Sequence, residues 1–169
     1  KLFIYTITKM LPTIQIKDNF LTKKEFDILN NNIDKITYKP TSTKDGNFGF
    51  RHYFKRDTDN QWLFKKIKKH FFPNTDLKIY NSSYHMRHNK KIMAHADDHA
   101  YNFILYLRGK ELFHNGTGFY TNNSLHTYIG FVENRALFFD GRSNMHTDLQ
   151  SLGESSFRHT INIFYDYDK

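Results

Sequence analysis

His95 and Asp97 stand two residues apart, His146 follows 49 residues after Asp97, and Arg158 lies 12 residues further on. Two imidazoles and one carboxylate are the donor set of a non-haem Fe(II) site. They leave three coordination positions open, whereas a harder or fully caged metal takes more protein ligands. An arginine shortly after the second histidine adds a fixed cation. Its guanidinium can grip a carboxylate through two parallel charge-assisted hydrogen bonds. Together these residues suit oxidative chemistry at an iron centre, with a fixed cation nearby for a substrate or cosubstrate carboxylate.

The spacing constrains the backbone. On a strand, residues i and i+2 point to the same face, so His95 and Asp97 can reach one ion; on a helix they diverge. The same rule selects Asp97 over its neighbour Asp98. H-x-D alone is weak evidence in a chain with ten histidines; the added His146 and Arg158 give the pattern its weight. His146 follows an apolar run, Ala136-Leu-Phe-Phe139, and an Asp140-Gly141 turn signal. Arg158, Thr160 and Asn162 alternate along a strand and share one face, so the Thr160 hydroxyl can add a contact beside the guanidinium.

Other constellations carry less chemistry. His95 and His99 are one helical turn apart, but His-Ala-Asp-Asp-His lacks the glutamate base of a metalloprotease helix. Gly116-Thr-Gly118 is not followed by a helix, so it is no phosphate loop. Ser83, Ser124 and Ser143 have no partner pattern for nucleophilic catalysis. His85, His88 and His99 flank the pocket in sequence; they are read as solvated loop residues, with substrate contact as the alternative.

The elements that must position this set are short strands preceded by helices. Residues 3–8 and 13–17 alternate weakly and are expected as strands. Thr22 and Glu25 form a capping box, and Phe26, Leu29, Ile33 and Ile36 follow at helical spacing. A second helix is expected from about Asn60 to Phe71, stopped by Pro73. Its Lys65, Lys66, Lys68 and Lys69 read as a solvated face rather than a nucleic-acid patch. Strands are expected at 77–84, 101–107, 118–120, 136–139 and 159–165, with an Asn115-Gly116 turn between two of them. Helices followed by many short strands suggest a β-sandwich or jelly roll with helices packed outside.

Bulk properties bound the rest. A chain of 169 residues is expected to be one domain, 1–169, with a sizeable core. Having no cysteine, it has neither disulfides nor thiolate metal sites. No apolar run approaches the roughly 20 residues that span a bilayer. The net charge of +8 is read chiefly as the Lys- and Asn-rich composition of an AT-rich coding sequence, with only a weak tilt toward polyanions. The expected location is the cytoplasm of a bacterium or of a virus-infected host.

The order H-x-D, a gap of about 50 residues, His, then Arg within about a dozen resembles the Fe(II)/2-oxoglutarate-dependent oxygenases. The resemblance is to the prolyl-hydroxylase-like branch with its short phage and bacterial members, and covers roughly residues 12–166. Ile14-Gln-Ile-Lys-Asp18-Asn-Phe-Leu-Thr22 is similar to that branch's strand leading into its first support helix. Tyr84, 11 residues before His95, and Tyr106 on the strand after the H-x-D motif occupy places where the branch has tyrosines facing the cosubstrate.

The resemblance implies a double-stranded β-helix, a cupin-like jelly roll with N-terminal helices outside. It implies Fe(II) on His95, Asp97 and His146. 2-Oxoglutarate would be held by Arg158, Thr160 and one or both of Tyr84 and Tyr106, with O2 as the third reactant. The reaction implied is hydroxylation with release of succinate and CO2. Related halogenases have a small residue in place of the carboxylate ligand, so Asp97 favours hydroxylation. The substrate is left open among a protein side chain, an amino acid, a nucleobase and a sugar. Segments 38–60, which contains Arg51 and Arg56, and 108–130 are expected as substrate lids. The alternative is a non-catalytic cupin-like module that binds a metal or nucleic acid.

Overall fold

Strand alternation sets the architecture. In the computed structural model, which describes residues 13–43, 46–55, 60–87, 94–112, 115–147 and 158–167, β5 (Tyr101–Gly109) buries its first seven residues. Phe103, Leu105 and Leu107 point into a core shared with the helices, while Ile104 and Tyr106 point into a second core. A pleat of period two requires this split, and burial of both faces explains the nearly continuous apolar run. β5 lies between β8 (Ala136–Asp140) and β10 (Arg158–Tyr167), antiparallel to both.

The sheet continues past β10 to β4 (Leu77–Arg87), β3 (Gly46–Tyr53) and β2 (Lys39–Thr43), and past β8 to β1 (Ile14–Lys17). A second sheet has the order β7 (Ser124–Ile129), β6 (Thr117–Thr121), β9 (Met145–Thr147). Phe119, Ile129 and Phe131 meet Ile104, Tyr106, Leu137 and Phe139 between the two sheets. This is the expected jelly roll, with both helices outside the larger sheet.

α1 (Lys23–Asn32) starts at the expected box: the Thr22 N–H donates to Glu25 Oε2 at 2.8 Å, and the Glu25 N–H to Thr22 Oγ1 at 3.4 Å. The regular helix ends at Asn32, before Ile33 and Ile36, which still pack on the core from the following turns. α2 (Gln61–Phe71) buries Leu63, Phe64, Ile67 and Phe71. Phe71 and Phe72 stack on Phe138 at 5.4 and 5.3 Å, fixing α2 to β8. Such pairs add about 0.5–1.5 kcal/mol each beyond their buried area. The lysines behave as a solvated face: Lys65, Lys68 and Lys69 are exposed, and Lys66 pairs with Glu25 at 2.5 Å.

Two expectations change. Segment 38–60 supplies β2 and β3, a hairpin that extends the larger sheet, and segment 108–130 supplies β6 and β7 of the smaller one. Both are woven into the sheets rather than laid over the site as lids. The expected strand at 3–8, His88 and Arg56 lie outside the described residues. Among the described residues no helix is long and apolar enough to cross a membrane.

Candidate metal centre and acid-binding pocket

His95 and His146 face each other across a two-residue antiparallel bridge. The His95 N–H donates to the His146 carbonyl at 3.1 Å, and the His146 N–H to the His95 carbonyl at 2.9 Å. Two residues on, the Asp97 N–H donates to the Gly141 carbonyl at 2.9 Å. The Asp140-Gly141 turn is therefore the scaffold for both ligand segments. Its Asp140 side chain accepts from the Arg142 and Ser143 N–H groups, and a Cβ on Gly141 would strike the His99 carbonyl at 2.9 Å.

Paired backbones bring the donors together. His146 Nε2 lies 3.2 Å from Asp97 Oδ2, and His95 Nε2 lies 3.8 Å from Asp97 Oδ1. One donor atom from each residue falls within 4.8 Å of the others. Donors bound to one ion at about 2.0–2.2 Å lie at most about 4.4 Å apart, so small side-chain shifts suffice.

The donor chemistry fits a cation. His146 Nδ1 is 3.0 Å from the Asn144 carbonyl, which can only accept, so Nδ1 carries the proton. In the neutral ring Nε2 then presents a lone pair to a carboxylate oxygen, and two such acceptors need a cation or proton between them. Burial pushes the Asp97 carboxyl pKa up, but the neighbouring His146 and His95 and a hydrogen bond from Asn102 outweigh it. The net effect holds the group below the usual carboxylate range. Asp97 is therefore available as an anionic ligand.

The same cleft contains Arg158, Thr117, Thr147 and Asn162. Arg158 is only 4% exposed. Its guanidinium donates to the Asn115 and Gly116 carbonyls and sits 5.5 Å from the Tyr106 ring centroid. Gly109 is its partner across the strands, and a Cβ there would press on Arg158 Cβ at 3.2 Å and on Phe131 at 2.9 Å. The Tyr106 hydroxyl is 2.7 Å from Thr117 Oγ1, and the Thr160 hydroxyl donates to Asn162 Oδ1 at 2.6 Å.

Tyr84 is not brought to this cleft. It pairs with Ile161 in the β4–β10 register, so its ring points to the helix side, 5.0 Å from Phe54, with its hydroxyl 3.4 Å from Asn32 Nδ2. The next residue, His85, pairs with Thr160 and faces inward; it is buried, 3.4 Å from Asn162 Nδ2, and no solvated loop residue. His99 is also structural: it contacts Asp166 at 2.9 Å and stacks on Tyr80 at 4.2 Å. Arg51 and Arg87 line the cleft and were not singled out as site residues by sequence reasoning. The available signal was the Ser83-x-His85-x-Arg87 alternation on β4.

No family model and no curated relative matches the chain. Solved structures do. A Trichoplax adhaerens prolyl hydroxylase, in complex with a hypoxia inducible factor oxygen degradation domain peptide, has a TM-score of 0.66 at 12% identity, covering 91% of this chain and 83% of that one. A 2OG-Fe(II) oxygenase family oxidoreductase from Burkholderia pseudomallei has 0.68 at 8% identity, covering 91% and 85%. The viral collagen prolyl hydroxylase of Paramecium Bursaria Chlorella virus-1, in its 2OG complex, has 0.57 at 18% identity, covering 93% and 97%. The chain therefore has the jelly-roll, double-stranded β-helix fold that these oxygenases share.

Proposed function

We propose that this protein is an Fe(II)- and 2-oxoglutarate-dependent dioxygenase that hydroxylates its substrate. One observation carries the reading: three donors of the right types converge within 4.8 Å in the same cleft as a buried arginine. The fold is also that of a 2OG-Fe(II) oxygenase family oxidoreductase and of a viral collagen prolyl hydroxylase solved with 2OG.

In this reading His95, Asp97 and His146 hold Fe(II). Bound there, the metal supplies the redox chemistry that couples 2-oxoglutarate and O2 to substrate oxidation, giving succinate and CO2. Asn102 and the Asn144 carbonyl orient two of the ligands from behind, as outer partners of metal ligands commonly do. Arg158 pairs with the far carboxylate of 2-oxoglutarate; Tyr106 backs that end through Thr117 and the Arg158 guanidinium, and Thr160 through Asn162. Ile104 and Phe164 form an apolar wall of the cleft. A non-catalytic cupin-like module is the weaker reading, because the solved structures of similar fold are oxygenases and hydroxylases.

The test is succinate formation from 2-oxoglutarate by the Fe(II)-loaded protein in air. The expected result is uncoupled turnover without added substrate, lost in Asp97→Ala. Absence of succinate from correctly folded, iron-loaded protein contradicts the proposal.

A further inference from the structure

The apolar core between the two sheets rests on β1, β8 and β5, through Ile14, Leu137, Phe139, Ile104 and Tyr106. The larger sheet runs on beyond it through β10, β4, β3 and β2. Arg51 on β3 is opposite His85, itself opposite Thr160, and Tyr53 is opposite Ser83, itself opposite Asn162. Lys39 on β2 is opposite Arg51. Residues paired across strands share a sheet face, so Lys39, Arg51 and Tyr53 lie on the cleft side. Arg51 also lines the cleft that contains His95, Asp97 and His146, so this flank is continuous with the metal centre.

Flat groups lead from the cleft to the surface of this flank. The Arg51 guanidinium lies 5.8 Å from the Phe164 ring centroid, Phe164 lies 5.1 Å from His99, and His99 lies 4.2 Å from Tyr80. Tyr80 and Tyr53 are 54% and 51% exposed, among the largest apolar exposures in the chain. Cations accompany the rings. Lys39 is exposed, and Arg51 Nε is buried without a hydrogen-bond acceptor, which is costly unless a ligand provides one. Nearby Asp166 is committed to His99, the Ala100 N–H and Arg142. The chain as a whole carries a net charge of +8. Exposed rings beside cations suit a partner with both phosphates and open planar faces. An acidic peptide would meet the cations and leave the rings without flat partners, and a duplex hides its base faces.

Resting on the oxygenase reading, we propose that this flank is the docking surface for substrate, and that the substrate is single-stranded nucleic acid. Bases stack on Tyr53 and Tyr80, and phosphates pair with Arg51 and Lys39. The strand then passes the mouth of the cleft while Arg158 remains committed to the cosubstrate.

The experiment uses the anaerobic Mn(II)–2-oxoglutarate protein and measures fluorescence anisotropy of labelled octathymidylate, with an unlabelled duplex of the same length and octaglutamate as competitors. The single strand is expected to bind, and neither competitor to displace it at equal concentration. Tyr53→Ala and Tyr80→Ala should each weaken binding roughly fivefold or more, with Tyr53→Phe keeping it, because the ring face rather than the hydroxyl is used. Arg51→Gln should weaken binding and reduce the slope of log affinity against log salt by about 0.7, the value for one phosphate contact on a single strand. Mn(II) should broaden the proton lines of the bound strand. No binding, displacement by the duplex or by octaglutamate, or unchanged affinity in the alanine variants overturns the proposal. So does binding without line broadening, which would place the strand away from the metal, and so does loss of 2-oxoglutarate binding in Arg51→Gln, which would make Arg51 a cosubstrate ligand. Failure of the wild-type protein to bind Mn(II) and 2-oxoglutarate refutes the oxygenase reading, and the anisotropy still decides whether the flank binds the strand.

Discussion

The two faces of the larger sheet are built from the same strands and differ in almost every property. On β10, Ile161, Ile163 and Tyr165 point to the helices and are nearly inaccessible, while Arg158, Thr160 and Asn162 alternate with them toward the cleft. On β5, Phe103, Leu105 and Leu107 face the helices, and Asn102 faces Asp97. One face is a carbon-rich core of stacked rings. The other, beside a smaller apolar core against the second sheet, collects the groups able to hold a metal and an acid. A pleat of period two lets one strand serve both without compromise. Stability and chemistry should therefore respond to different substitutions.

The largest effect is expected on the helix face. Phe103 is fully buried and packs against Phe20 and Phe71. Phe103→Ala should cost about 3–5 kcal/mol in urea unfolding, through lost burial and the cavity left behind. The folded fraction should still respond to metal and 2-oxoglutarate; loss of that response at unchanged stability would break the division between the faces. On the cleft face, Arg158→Ala should raise the 2-oxoglutarate dissociation constant, measured by calorimetry with Mn(II), roughly tenfold to a hundredfold. Unchanged affinity would remove Arg158 from its proposed role.

Tyr84→Phe sharpens the comparison further. The Tyr84 hydroxyl contacts Asn32 on α1, so its removal should cost about 0.5–1.5 kcal/mol of stability and leave 2-oxoglutarate affinity as it was. A weaker cosubstrate affinity would put Tyr84 back at the site. The smallest effect belongs to the sheet edge. Hydrogen bonds from Arg135 are the main reason the Asp18 carboxyl pKa is lowered, against a smaller opposing push from burial. A depressed native pKa stabilises the fold above the unfolded value of about 3.9, and that increment disappears as pH falls through the native value. Asp18→Asn should thus flatten the acid limb of stability slightly, because the pair is half exposed.

Much of this division was legible before the structure. His95, Asp97, His146 and Arg158 stand out because coordination chemistry and carboxylate binding restrict which residue types can serve. The capping box at Thr22 and the apolar runs of β5 and β8 announce themselves through local physics. What stayed hidden depends on strand pairing over long separations. Counting 11 residues back from His95 reaches Tyr84, but which face a residue occupies is set by register with β10, and that register puts His85 inward. A slip of one residue exchanges faces. β2 is a polar edge strand, Lys39-Pro-Thr-Ser-Thr43, with no apolar alternation to mark it. Arg51 and Arg87 gain meaning only once β3 and β4 are seen to wall the cleft.

The most direct test of the central claim is thermal unfolding of the metal-free protein under anaerobic conditions, with Mn(II), with 2-oxoglutarate and with both. The account predicts that 2-oxoglutarate stabilises only when the metal is present, by roughly 2.7 kcal/mol at about 100 times its dissociation constant. Asp97→Ala should abolish that response. Stabilisation by 2-oxoglutarate without metal, or none in any combination, would contradict a metal centre and an acid pocket working as one site.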